Sequence, residues 1–225
     1  EAINRIFLFD SHGLVTKDRE GLTPLKQKFA HEQEPQSTFL DAIGEVKPTA
    51  IVGCAAQAGS FNAYVLSAMA RINERPIIFA LSNPTSRSEC TAREAYTYTE
   101  GKCLFASGSP FPQVEVNGKT FIPRQSNNSY VFPGIGLGLV VSSPRIVPQS
   151  VFLSAAEALS KIVSEDDLEN GSLFPSLTKI REVSQSIAAA VAEQCFTAGV
   201  AGVPKPDDLS KAIQEAMYKP VYDRI

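Results

Sequence analysis

One run of apolar residues limits the fold of this chain more than any other feature. Residues 76–81 read Pro-Ile-Ile-Phe-Ala-Leu and are followed by Ser82, Asn83 and Pro84. An unbroken apolar stretch of this length is typical of a strand that is covered on both faces, as in a parallel sheet. Pro84 cannot continue a strand ladder and favours an extended conformation at Asn83. We therefore predict that Asn83 lies at the carboxyl end of a central strand, where α/β sheets bind ligands; a simple turn at Asn-Pro is the alternative.

Predicted strands alternate with predicted helices as far as residue 141, and helices follow. Apolar runs predict further strands at residues 6–9, 50–53 and 102–106, and helical periodicity predicts helices at 38–46 and 61–71. The Asn117-Gly118 pair predicts a hairpin with a type I′ turn. Later helices are predicted at about residues 149–163, 165–169, 176–197 and 207–217. This pattern is typical of an α/β fold with a Rossmann-type, doubly wound, mostly parallel sheet and covering C-terminal helices.

Two helices of the first half carry more detailed predictions. The inward face of helix 61–71 is predicted to consist of Tyr64, Val65, Ala68, Met69 and Ile72. Ser86 precedes Glu89 with the spacing of a capping box, which predicts that a helix begins there and runs to about residue 99. Tyr96 and Tyr98 of that helix are expected to pack or to lie at its rim, because no partner for acid/base chemistry stands near them.

Composition excludes several classes of protein. The net charge of the 225 residues is -3, and the basic residues are scattered, which argues against nucleic acid as a partner. No apolar run approaches the roughly 20 residues that span a bilayer, and the first residues do not read as a signal peptide. The four cysteines form neither a CxxC pair nor a metal-ligand spacing with the two histidines. We therefore expect reduced thiols, an intracellular compartment and no membrane partner.

The start of the chain indicates a piece of something longer. Glu1 is not methionine, and a predicted strand follows almost at once, ending at Asp10. An acid at the end of the second strand of a dinucleotide fold accepts hydrogen bonds from the adenosine ribose. The glycine-rich turn that should lie about 20 residues before such an acid is not in the sequence. Plain termination of the strand at Asp10 is the alternative.

Small side chains follow the predicted strand 50–53. The turn reads Gly53-Cys54-Ala55-Ala56 and continues as Gln-Ala-Gly-Ser to residue 60. Small residues between a strand and a helix let another body approach the backbone closely, and glycine there permits a positive φ. A nucleotide and a packed helix fit this pattern equally well. His12 and His31 lie in polar surroundings, and we expect both to be solvated surface residues.

Taken together, three segments of the chain resemble malic enzyme. They read Phe-Ala-Leu-Ser-Asn-Pro-Thr-Ser at 79–86, Phe-Ala-Ser-Gly-Ser-Pro-Phe at 105–111 and Asn-Asn-Ser-Tyr-Val-Phe-Pro-Gly at 127–134. The resemblance runs along nearly the whole chain, and three long motifs in the right order are a specific signal. It implies that residues 1–225 are a partial NAD(P)-binding domain, whose first βαβ unit and whose substrate and metal domain lie upstream.

The resemblance implies an activity and the residues that serve it. Enzymes of this family oxidise malate with NADP or NAD and release pyruvate and CO₂, with the help of Mg²⁺ or Mn²⁺. By resemblance, Asn83, Asn127 and Asn128 face malate and the nicotinamide end of the cofactor. Gly53, Cys54 and Ala55 match the turn that passes beside the dinucleotide, and Asp10 matches the ribose-facing acid. Because the family's catalytic and metal-binding residues lie upstream, we expect this chain alone to be inactive.

The same resemblance favours NADP over NAD. NADP-preferring relatives keep the acid, follow it with a serine and supply a lysine from the next connection. Here Ser11 follows Asp10, and Lys26 stands where that lysine belongs, with Lys28 close by. A lysine there would bind the 2′-phosphate through charge-assisted hydrogen bonds; a solvated charged face is the alternative reading of both lysines.

Two departures from the family pattern lie near the expected site. The family usually has Pro-Gly-Gln before the paired asparagines, whereas this chain has Pro-Arg-Gln, so Arg124 adds bulk and charge. The turn at 54–59 also lacks one glycine that many relatives have.

The sequence is compatible with other functions. They are another Rossmann dehydrogenase, such as an amino-acid dehydrogenase, a malic-like domain fused to a phosphate-acetyl transfer partner, and a non-catalytic nucleotide-binding or assembly domain. We expect a homo-oligomer, in the cytoplasm rather than in a mitochondrion or plastid.

Overall fold

In the computed structural model, which describes residues 2–219, the chain divides into two compact units. The first comprises the chain up to Gln125 together with Asn170–Ser172, and the second comprises residues from 126 to 169 and from 173 onward. The first unit contains the sheet and the second is helical. Each is described separately below.

A parallel four-stranded sheet organises the first unit. Its strands are β3 (Ala50–Gly53), β4 (Ile77–Ala80), β5 (Leu104–Ser107) and β8 (Arg124–Gln125), in the order β3-β4-β5-β8. The register pairs Gly53 with Ala80 and Ala80 with Ser107, so three strands end at one level. The predicted parallel α/β sheet is therefore confirmed, and the residues that follow β3, β4 and β5 share its carboxyl edge.

Helices α2 (Phe39–Val46), α3 (Ala63–Ile72) and α4 (Ala92–Tyr98) complete the first unit, with the single turn α1 at Pro24–Gln27. The Asn62 side chain caps α3 by accepting from the backbone N–H groups of Tyr64 and Val65. The predicted inward face of α3 is partly wrong. Val65, Ala68 and Met69 are buried, but Tyr64 is 74% exposed and Ile72 is 39% exposed, while Leu66 is buried in their place.

The capping box predicted at Ser86 and Glu89 is wrong. Residues Thr85–Arg87 form a short 3₁₀ turn, and the helix begins five residues later than predicted, at Ala92. Its capping box is formed by Thr91 and Glu94: the Thr91 N–H donates to the Glu94 carboxylate over 2.7 Å, and the Glu94 N–H donates to Thr91 Oγ1 over 3.2 Å. Glu89 is left outside the helix and is buried.

Aromatic residues anchor the core of the first unit. Tyr96 is fully buried, stacks on Phe121 with ring centroids 4.4 Å apart, and donates its hydroxyl hydrogen to the Gly171 carbonyl. The packing role expected of Tyr96 is confirmed. Phe121 ends the hairpin of β6 (Val114–Val116) and β7 (Lys119–Phe121), whose turn has positive φ at Asn117 and Gly118, as predicted.

The predicted buried strand at residues 6–9 is wrong. A 3₁₀ helix covers Ala2–Arg5, Ile6 is 44% exposed, and only Phe9–Asp10 is extended, as β1. This strand pairs with β2 (Gly13–Leu14) in a two-stranded antiparallel sheet that is separate from the parallel one. Gly13 has a φ of 101°, which glycine adopts readily and which permits the tight reversal. A side chain would not fit at this position, because a Cβ would lie 2.3 Å from the Gln36 carbonyl oxygen.

The second unit consists of helices α5 (Phe132–Ser142), α6 (Ser150–Ser160), α7 (Glu165–Glu169), α8 (Ile180–Thr197) and α9 (Leu209–Ala216). All the predicted C-terminal helices are present; α7 has the predicted bounds, and α6, α8 and α9 are shorter than predicted. Helices α5 and α8 pack so closely that a Cβ at Gly134 would lie 2.7 Å from Ile187 Cβ. In the part of the chain that the structure describes, no helix is long and apolar enough to cross a membrane.

Candidate functional site

Asn83 follows β4 at the carboxyl edge of the sheet, as predicted. It is exposed, and the peptide bond between Asn83 and Pro84 is cis. Its Oδ1 accepts a hydrogen bond from the Ser109 hydroxyl over 2.6 Å, and its Nδ2 lies 3.4 Å from the Leu81 carbonyl oxygen. Asn83 is therefore a surface carboxamide that the neighbouring loop holds at one end.

Gly108, in the loop after β5, lies against the loop after β4. A Cβ at Gly108 would lie 2.2 Å from the Leu81 carbonyl oxygen and 2.7 Å from Asn83 Nδ2. Both approaches are shorter than side-chain carbons tolerate, so only glycine fits here. The Gly108 N–H donates to the Ala80 carbonyl over 3.0 Å, and its carbonyl accepts from Gln125 Nε2 over 3.0 Å. The two loops are thus fixed to one another beside Asn83.

A buried carboxylate supports the turn after β3, and the sequence reasoning missed it. Glu89 is 1% exposed, and a Cβ at Gly53 would lie 2.4 Å from Glu89 Cγ. Its Oε1 accepts from the Ser82 hydroxyl, and its Oε2 accepts from the Ser82 N–H over 3.3 Å. Ser82 Oγ in turn accepts from the Ala56 N–H over 2.9 Å. This chain of bonds joins the turn after β3 to the residue that precedes Asn83.

The predicted cofactor turn is accessible above this support. Cys54 and Ala55 are exposed, as are the residues that follow them up to Gly59, whereas Gly53 is buried. The contact of Gly53 with Glu89 supplies one reason for a glycine at this place, namely close packing on the inner side. The outer side of the turn is open to a ligand. The predicted contact of Gly53, Cys54 and Ala55 with a dinucleotide stays a prediction.

Asp10 lies in a cluster with two cations. Arg19 Nη2 donates to both Asp10 oxygens, over 2.7 and 2.8 Å, and Lys26 Nζ donates to Oδ2. The His12 N–H donates to Oδ1 over 2.9 Å. Although burial alone raises the pKa of Asp10, the hydrogen bonds from Lys26, the His12 N–H and Arg19 outweigh it, so the pKa falls well below its ordinary value. The cluster has one more positive than negative charge.

The two lysines of the predicted cofactor site differ in their contacts. Lys26 is half-buried and ion-paired with Asp10, while Lys28 is exposed and has no ion pair within the described chain. Arg19 was not identified from the sequence. It lies nine residues after Asp10 in a polar connection, and no sequence pattern there distinguishes it from the other charged residues. Ser11 is exposed, with its Oγ 3.2 Å from His12 Nδ1. Asp10 and Lys26 are in contact, and their predicted roles at the ribose and its 2′-phosphate stay predictions.

The remaining predictions concern the paired asparagines and His31. Asn127 and Asn128 belong to the second unit; Asn127 Oδ1 accepts from the Ser129 N–H over 2.9 Å at the start of a 3₁₀ helix, and Asn128 is exposed. Their predicted contact with substrate stays a prediction. His31 lies at the surface but is partly covered, since its ring stacks on Phe7 at 4.1 Å and its Nε2 lies 2.9 Å from the Ile6 carbonyl oxygen.

Metal-binding side chains are not gathered in residues 2–219. No group of three His, Cys, Asp or Glu residues there could hold a metal ion. The cysteines of this part are free, with Cys54 exposed and Cys90, Cys103 and Cys195 buried. Burial raises the pKa of the Cys103 thiol to about 12. The described residues therefore do not fit a metal centre, and we assign them no step that involves one.

Comparison with known proteins decides the family. The family model for the malic enzyme NAD-binding domain matches residues 1–196. This chain is a malic enzyme NAD-binding domain. The chloroplastic NADP-dependent malic enzyme of Zea mays is 49% identical over 224 residues, which are 99% of this chain and 35% of the relative. The mitochondrial NAD-dependent malic enzyme of Ascaris suum is 46% identical over 226 residues, with 100% and 35% covered.

Solved malic enzymes share the fold. The crystal structure of malic enzyme from Pyrococcus horikoshii matches with a TM-score of 0.67 at 24% identity, covering 90% of this chain and 42% of that one. The malic enzyme of Entamoeba histolytica matches with a TM-score of 0.66 at 23% identity, covering 93% and 42%. The chain spans about a third of the length of the curated malic enzymes that it matches, 35% for the Zea mays protein.

The residues of this malic enzyme domain fit a dinucleotide. The Asp10 cluster offers ammonium and guanidinium donors with an excess of positive charge, which suits a phosphorylated ribose. Asn83 offers amide N–H groups at the sheet edge, and Gly108 keeps the surface beside it free of a side chain. An uncharged carboxamide can bind a carboxylate or another carboxamide without titrating.

Proposed function

We propose that the full-length protein containing this chain oxidatively decarboxylates malate to pyruvate and CO₂ and reduces NADP. The family supports this reading over an amino-acid dehydrogenase, a phosphate-acetyl transfer partner or an assembly domain. One observation supports the role of this chain in that reaction: Arg19 and Lys26 both contact Asp10 and form a cluster with an excess of positive charge. In this proposal the chain supplies the cofactor site.

The excess charge of the cluster argues for NADP. An acid with accessible oxygens would accept the ribose hydroxyls of NAD and repel a 2′-phosphate. Here both oxygens of Asp10 are engaged by Arg19, and Lys26 adds a second cation whose side chain is 37% exposed. A 2′-phosphate gains charge-assisted hydrogen bonds from a lysine in this position. NAD is the alternative, since the Ascaris suum relative is named NAD-dependent.

The remaining predicted residues would bind and orient malate and the cofactor. Asn83, Asn127 and Asn128 are assigned to malate and the nicotinamide end of the cofactor, and Gly53, Cys54 and Ala55 to the dinucleotide backbone. The bound NADP would accept the hydride that malate loses. Asn83 would hold its ligand through neutral N–H donors at the sheet edge, without adding charge to the site. A divalent Mg²⁺ or Mn²⁺ ion is assigned to the full-length protein, with ligands outside the described residues.

Assembly and compartment complete the proposal. We expect a homo-oligomer that uses no nucleic acid or membrane partner. Relatives named chloroplastic and mitochondrial make an organelle a candidate compartment beside the cytoplasm, which we favour. Size-exclusion chromatography and cell fractionation of the full-length protein would test these two points.

The activity is tested by substrate choice. The full-length protein is incubated with Mn²⁺ and either NADP or NAD, and with malate or one of a set of amino acids, and reduction of the cofactor is followed by fluorescence. We expect reduction with malate, faster with NADP, and none with amino acids. Oxidation of an amino acid would favour the other dehydrogenases, and cofactor binding without turnover of any substrate would favour the non-catalytic reading.

A further inference from the structure

We infer that Ser109 is a positioning residue for Asn83, and that it makes Asn83 a hydrogen-bond donor toward its ligand. The inference rests on the proposed function for the identity of that ligand, but not for the geometry. It identifies the ligand group by chemistry: an acceptor oxygen, either a carboxylate oxygen of the hydroxy acid or the carboxamide oxygen of the nicotinamide.

Two contacts fix which end of the Asn83 carboxamide faces which neighbour. The Ser109 hydroxyl lies 2.6 Å from Oδ1, and the Leu81 carbonyl oxygen lies 3.4 Å from Nδ2. A hydroxyl can donate or accept, so Ser109 alone is compatible with either orientation of the amide. The Leu81 carbonyl can only accept, so a reversed amide would bring two acceptor oxygens together. Both contacts are satisfied only when Oδ1 faces Ser109.

Ser109 is itself held in place. It is 7% exposed, and its carbonyl accepts from the Ser107 hydroxyl over 2.7 Å. The preceding residue, Gly108, donates its N–H to β4 at Ala80 and accepts from Gln125 of β8, each over 3.0 Å. The hydroxyl of Ser109 therefore projects from a loop that is bonded to strands on both sides. The hydroxyl is thus a donor at a fixed position, and Oδ1 of the exposed Asn83 carboxamide faces it.

The side chain of Asn83 can form a further hydrogen bond through its nitrogen. Nδ2 carries two hydrogens, and its one contact among the described residues is the long approach to Leu81. At least one N–H is therefore available to a ligand, while Oδ1 already accepts from Ser109. A ligand that meets this side chain must present an acceptor. Malate carboxylates and the nicotinamide carboxamide oxygen both qualify.

The test compares Ser109→Ala with Ser86→Ala in the full-length protein. Ser86 is exposed and its side chain makes no hydrogen bond in the described part of the chain, so it is a matched serine near Asn83. Calorimetry measures the Kd of NADP alone and of malate in the presence of NADPH. We expect Ser109→Ala to raise one of these Kd values about three- to tenfold, as loss of one neutral hydrogen bond implies. The ligand whose Kd changes identifies the acceptor oxygen.

A double-mutant cycle separates positioning from general support. In an Asn83→Ala background, Ser109→Ala should change neither Kd, because its effect acts through the carboxamide. In steady-state kinetics the KM of the same ligand should rise while kcat stays within about twofold, as for loss of a binding interaction. If Ser109→Ala equals Ser86→Ala, or if its effect persists without the Asn83 side chain, the inference is wrong.

Folding and function are controlled separately. Thermal unfolding is recorded for every variant, and if Ser109→Ala unfolds early, Ser109→Cys keeps the volume with a weaker donor and should raise the Kd in the same direction. An unchanged Kd in a folded Ser109→Cys protein would then overturn the inference. A wild-type protein that binds NADP but does not oxidise malate would overturn the proposed function instead, and the calorimetric comparison would still decide the role of Ser109.

Discussion

Glu89 and Ser82 are hydrogen-bonded to each other within the connection between β4 and α4, and Ser82 joins that connection to the turn after β3. The buried carboxylate of Glu89 accepts from both the hydroxyl and the N–H of Ser82, and the same hydroxyl accepts from Ala56 in the turn after β3. No ion pair in residues 2–219 involves Glu89, so the polar contacts of its side chain there are hydrogen bonds alone. The position of Asn83 thus depends on a buried glutamate in the same connection between β4 and α4.

Removal of Glu89 should destabilise the protein. Glu89→Ala leaves both Ser82 donors without their acceptor and opens a cavity beside Gly53, so we expect a loss of about 2–4 kcal/mol of unfolding free energy. Glu89→Gln keeps one acceptor and should lose about 1 kcal/mol less. Urea unfolding measures both. Glu74→Gln, at an exposed glutamate, is the control and should lie within about 0.5 kcal/mol of wild type; equal behaviour of the buried and exposed positions would contradict this role.

A methyl group at position 108 should disturb Asn83. Gly108→Ala would place a Cβ 2.2 Å from the Leu81 carbonyl oxygen and 2.7 Å from Asn83 Nδ2. Both distances are too short for a carbon atom, so one of the two loops must move. We expect malate turnover to fall by about 100-fold or more, since a misplacement of about 1 Å can cost that much. Gly44→Ala is the control: Gly44 lies in α2, and a Cβ there would have no atom within 4 Å. This substitution should leave turnover unchanged and stabilise α2, because alanine has a higher helix propensity than glycine. Full activity of Gly108→Ala would show that the loops are not constrained as described.

Asp10 should stabilise the fold at neutral pH and lose that effect in acid. Its pKa in the folded protein lies below the value of a free carboxyl, so the folded state favours the ionised form. The stabilisation is therefore complete above the ordinary pKa of about 3.9 and fades as the pH falls through the lowered pKa. Asp10→Asn should cost about 1 kcal/mol near neutral pH, and its difference from wild type should shrink below about pH 4. Urea unfolding at several pH values measures this; a constant difference would contradict it.

The cationic cluster should select the cofactor. Lys26→Glu replaces the cation that would bind a 2′-phosphate with an anion that repels it, so the KM for NADP should rise at least about tenfold. The KM for NAD should change much less. Lys28→Glu makes the same charge change at an exposed lysine without an ion pair in the described chain, and should have little effect on either KM. An unchanged KM for NADP in Lys26→Glu would make the assignment wrong.

Strands and helices with a strong pattern were predictable from sequence, and the residues that hold the loops were not. The apolar runs located β3, β4 and β5, although only β5 is buried along its whole length and alternate residues of β3 are exposed. The capping box was misplaced because the spacing of a hydroxyl residue and a glutamate occurs twice, at Ser86 with Glu89 and again at Thr91 with Glu94. Local spacing does not say which glutamate turns inward to Ser82.

The same limit applies to the candidate site. Asn83 and Asp10 were singled out because each was predicted to follow a strand, where ligand-binding residues collect, and only Asn83 does so. Ser109 lies in the motif at 105–111 but was given no role, and Arg19, nine residues from Asp10, was not singled out, because sequence spacing does not show which side chains meet between neighbouring loops. The predicted strand before Asp10 failed because an apolar run of four residues is too short to distinguish a sheet strand from a packed connection.

The most direct test of the central claim is the product balance of the full-length protein. Malate, Mn²⁺ and NADP are supplied, and NADPH, pyruvate and CO₂ are measured in the same reaction. We predict that the three appear in equal amounts, because each hydride transfer is followed by one decarboxylation. NADPH formed without pyruvate, or no NADPH at all, would contradict the claim that this chain is the cofactor-binding part of a malate oxidative decarboxylase.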